Sequence, residues 1–171
     1  FAAGLSFMEA IDPSWLAVSE IIQAATGGTQ PNPGAFWAEK KIPRWIHYGA
    51  AAYVERFAKI SAADGGNPWQ MREDSLKMLK TGGGLRKIED IFAFALDIND
   101  IEGSGRLIQE AGAVLSFLLD GADGDKKLKE KHQAFKAALR AGKAKEITEA
   151  VQELQKELAK NEKDIKKFAD Q

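Results

Sequence analysis

The chain has 171 residues and no cysteine, with 44% hydrophobic residues, 29% charged residues and a net charge of −1. That is enough chain to bury one core, and it excludes a disulfide framework, a redox pair and thiolate metal ligation. Only two histidines, His47 and His132, are present, and no apolar run approaches the roughly 18 residues of a membrane span.

Residues 5–8 are the one candidate strand. Asp12 then reads as an N-cap, with Pro13 at the first helical position and Gly27-Gly28 ending a first helix whose buried stripe is Trp15, Val18, Ile22 and Ala25. Pro31 and Pro33 make residues 28–34 a loop, and a short stretch follows at 35–41. A second helix is expected from Pro43 to about residue 60. Its core face is Ile46, Ala50, Tyr53 and Phe57, at i, i+4, i+7 and i+11.

Residues 63–69 form another loop and 72–80 a short helix, which Gly82-Gly83-Gly84 stops. Three glycines invite a phosphate-loop reading, but no strand precedes them and no Lys-Ser/Thr pair follows, so they read as a flexible connector. Residues 85–96 supply a further helix. Residues 104–119 supply a central core helix, with Leu107, Ala111, Val114, Leu115 and Leu118 on one side. The acidic, glycine-rich run 120–125 lacks the downstream bidentate Glu of a calcium loop and reads as a turn joining helices. Helices at 126–141, 145–160 and 162–168 complete the chain, with Gly142 and Asn161 between them. The expected fold is mainly α, a single multi-helical domain over 1–171 with little or no β.

Charge is unevenly spread. Residues 126–171 carry 13 Lys/Arg against 8 Asp/Glu, whereas residues 1–125 carry 11 against 17. The basic residues of the C-terminal part alternate with glutamates at helical spacing (Glu149, Glu153, Lys156, Glu157, Lys160), which reads as a solvated helix surface and not as a nucleic-acid or membrane-surface patch. His132 stands among Lys129, Lys131 and Lys136 and is expected to be solvent-exposed.

The segment Ile42-Pro43-Arg44-Trp45-Ile46-His47-Tyr48-Gly49-Ala50-Ala51-Ala52-Tyr53-Val54-Glu55 resembles the proline, Trp-Leu-x-Glu-Gly-x-Ala-Glu-Tyr helix of peptidase MA-like, gluzincin-type zinc metallopeptidases. In that family the Glu before Gly is the third zinc ligand. The matching position here is Tyr48, and the later acidic position is Ala52. Where the family keeps its His-Glu-x-x-His helix, this chain has Ser19-Glu20-Ile21-Ile22-Gln23. The likeness continues through the helix at 104–119 with its glycine turn and through Ala138 to Gly142, and spans roughly Trp15 to Phe168.

The resemblance implies the helical catalytic lobe of such peptidases with its metal ligands lost. Ser19, Gln23 and Tyr48 hold the former ligand positions, and Glu20 is a relic of the general base or a carboxylate hydrogen-bonded to Ser19, Gln23 or Tyr48. Residues i and i+4 share a helix face, which puts Ser19 beside Gln23. Neither side chain supplies the neutral nitrogen donor that zinc takes, and a phenol replaces the carboxylate. No zinc or other cofactor is therefore expected.

His47, about 100° around the helix from Tyr48, is expected to point away from the lost ligand's place. Trp37, His47, Ala52 and Trp69 are candidate lining for a residual cleft, while Trp45 reads as core. The expected role is a non-catalytic pseudopeptidase domain that binds a peptide or protein or scaffolds a larger protein. The alternatives are an active metallohydrolase with a rearranged site built on Glu20, Tyr48 and His47, and a purely structural helical domain. The start at Phe1 points to a fragment of a longer precursor, and only the resemblance favours a secreted or cell-envelope location.

Overall fold

The computed structural model describes residues 42–53, 77, 79–95, 97, 99–122 and 124–170. Every regular element among them is a helix: α1 Arg44–Ala52, α2 Ile88–Phe92, α3 Ile101–Ser116, α4 Lys126–Ala141, α5 Ala144–Lys160 and α6 Glu162–Ala169. α3 passes directly into a π-helical turn, Phe117–Gly121. No strand occurs among the described residues, as the dominant 3.6-residue period predicts. The candidate strand at 5–8, the first predicted helix and the second helix beyond residue 53 lie outside them.

The local signals explain most helix ends. Pro43 is the extended N-cap of α1, with φ −60° and ψ 146°. Its missing N–H costs nothing there, because the first N–H groups of a helix lack intrahelical acceptors anyway. Asp125 caps α4 by accepting from the Leu128 N–H at 3.0 Å, and Gly142 ends that helix in the left-handed conformation, φ 71°, where a Cβ would be strained. α3 starts three residues earlier than the expected position 104. Asp100 accepts from the Gly103 N–H at 2.9 Å, and the Ser104 hydroxyl both donates to the Asp97 carbonyl and accepts from the Asp97 N–H, each at 2.9 Å, which locks the entry turn.

Two expectations need correction. Residues 85–96 are not one helix: only Ile88–Phe92 is helical, because Lys87 is extended and the chain breaks away after Ala93 to bury Phe94. The triglycine is also no flexible connector. Gly83 and Gly84 take positive φ, 90° and 79°, and the Gly84 N–H donates back to the Leu79 carbonyl at 2.9 Å, so the run is an ordered cap on the helical turn before it.

α3 is the centre. Its expected stripe of Leu107, Ala111, Val114, Leu115 and Leu118 is buried, and burial continues around the helix through Gln109, Glu110, Ala113 and Ser116, as befits a helix covered on all sides. α1 lies against it along the most extensive helix pair among the described residues. The approach is close because Gly49 has no side chain: a Cβ there would sit 2.8 Å from both the carbonyl carbon and the oxygen of Ala111. α4 and α5 form an antiparallel hairpin, whose inner faces carry Leu128, Phe135 and Leu139 and then Ile147, Val151, Leu154 and Leu158, all in the same core. At roughly 1.5–3 kcal/mol for each fully buried large apolar side chain, these stripes hold helices whose surfaces are otherwise charged.

Candidate functional site

Of the residues singled out from the sequence, Tyr48, His47 and Ala52 lie on α1, while Ser19, Glu20, Gln23, Trp37 and Trp69 lie outside the described residues. Trp45 is wholly buried, in the core role expected of it, with its ring centroid 5.0 Å from that of Phe92. Ala52 is buried as well.

Tyr48 is half-buried. Its ring lies nearly parallel to that of Phe94, with centroids 5.2 Å apart and an angle of 11° between the planes. His47 does not turn away from it as the helical angle suggested. The imidazole stacks on the phenol ring at 5.0 Å and 30°, because two planar side chains on successive residues can lean together across an arc that their Cα positions separate. His47, Tyr48 and Phe94 thus form one aromatic row, and partial burial holds the imidazole below its ordinary pKa. Among the described residues no three His, Asp or Glu side chains converge as a metal would require.

The most heavily charged buried feature was not foreseen. Glu110 is completely buried in α3, where an isolated carboxylate would be costly. Two guanidinium groups compensate it. Arg106 Nε donates to Oε1 at 3.1 Å, and Arg86 Nε lies 2.5 Å from Oε2 as an ion-pair contact whose N–H is directed off the line to the oxygen. The Arg86 backbone N–H adds a bond to Oε1 at 3.3 Å, and Arg106 Nη2 reaches on to the Gly84 carbonyl at 2.7 Å. Glu110 therefore clasps the capping turn of residues 82–86 onto α3. The sequence held half of the signal, an Arg-Glu pair at i, i+4 inside an apolar run; Arg86, 24 residues away, could not be read from it.

His132 differs from expectation too. It is partly buried, and burial, aided by repulsion from Lys136, pushes its pKa down to about 4, so it is neutral at ordinary pH. At the end of α1 the Tyr53 hydroxyl donates to Asp120 Oδ2 at 3.2 Å, which ties α1 to the π-helical turn. No helix among the described residues is long and apolar enough to cross a membrane. Comparison with models of known families, with characterised proteins and with solved structures finds no match to this chain.

Proposed function

We propose that this chain is a non-catalytic, peptidase-like helical domain that acts by binding a peptide or protein partner or by scaffolding a larger protein. One observation supports the reading above the others. At the position where the resemblance calls for a zinc-binding carboxylate stands Tyr48, and its ring is committed to a parallel stack on Phe94 and a stacked contact with His47. A side chain held in this way supplies ring surface and a phenol hydroxyl for contact, and no metal-activated water. Ser19 and Gln23 stand at the other two positions, so these three positions supply neither the imidazoles nor the carboxylate that catalytic zinc takes.

The test is zinc content by elemental analysis after dialysis, together with cleavage of a generic protein substrate, for the natural chain and for a Ser19→His, Gln23→His, Tyr48→Glu variant. The natural chain is expected to retain no stoichiometric zinc and to cleave nothing, while the triple variant gains metal affinity. One tightly held zinc in the natural chain, or metal-dependent cleavage by it, would overturn the proposal in favour of a rearranged active site.

A further inference from the structure

We draw no further inference here: the strongest candidate, the alanine-lined groove between α4 and α5, carries no proposal because Glu146, Glu149 and Glu153 on its rim are already paired with Lys143, Lys145 and Lys131 and nothing in the structure shows what covers it.

Discussion

Replacing Gly49 by alanine adds a single methyl group at the tightest point of the α1–α3 crossing. The new Cβ would lie 2.8 Å from the carbonyl carbon and oxygen of Ala111 and 3.0 Å from its Cβ, where unstrained contacts between heavy atoms run to about 3.5 Å or more. Two of these neighbours are backbone, so no rotamer change relieves the overlap and the helices must separate by roughly 0.7 Å. Overpacking of this kind costs about 1–3 kcal/mol, against a helix-propensity gain of about 0.8–1 kcal/mol for Gly→Ala. The expected outcome is a net loss of up to about 2 kcal/mol, or a fall of up to roughly 8 °C in Tm for a domain of this size. Gly105→Ala is the control: it lies in the neighbouring α3, nothing stands within 4 Å of its Cβ position, and it should stabilise by up to about 1 kcal/mol. Ala111→Gly should fail to rescue Gly49→Ala, since the carbonyl remains. Urea denaturation followed by circular dichroism reads all four chains. If Gly49→Ala is stabilised as much as Gly105→Ala, the close crossing of α1 over α3 is wrong.

Arg106→Ala should destabilise by about 3 kcal/mol, because it leaves the buried Glu110 with Arg86 alone; a double-mutant cycle with Glu110→Gln should show strong coupling, and additivity would count against the clasp. Asp125→Ala removes the α4 cap and the Asn161 bond and should cost about 1–2 kcal/mol in the same denaturation assay. His132 has a folded pKa of about 4 against an ordinary 6.5, so the unfolded chain binds its proton first. Its contribution is complete above pH 6.5, falls as the pH drops from 6.5 to about 4, and is level below that. After allowance for solvent at a partly buried ring, the loss is about 1–2 kcal/mol. His132→Gln should flatten the melting-temperature profile across that window, and unchanged slopes would show that the imidazole is not held neutral.

The helices at 126–141 and 145–160 were legible almost to the residue, and the last was legible as well. Their apolar stripes repeat at helical spacing, and Asp125, Gly142 and Asn161 act on the backbone within a few residues of themselves. The failures have a common cause. Residues 85–96 have helical composition, yet Ile88, Ile91 and Phe94 are all buried, and a break after Ala93 brings Phe94 to Tyr48. The triglycine looked loose because, beyond its local bonds to Lys80 and Leu79, it is held by Arg106, 22 residues away.

The same division runs through the candidate site. The residue types at positions 19, 23 and 48, and hence the want of zinc donors there, are properties of the sequence alone, as are the helical class and the alternating charges of the C-terminal surface. That His47 leans on Tyr48, that Glu110 is sealed between two arginines and that His132 is kept neutral were decided by tertiary structure. Periodicity and caps act over one or two helical turns, whereas burial and charge pairing depend on which distant segment arrives at a given face, and only packing determines that.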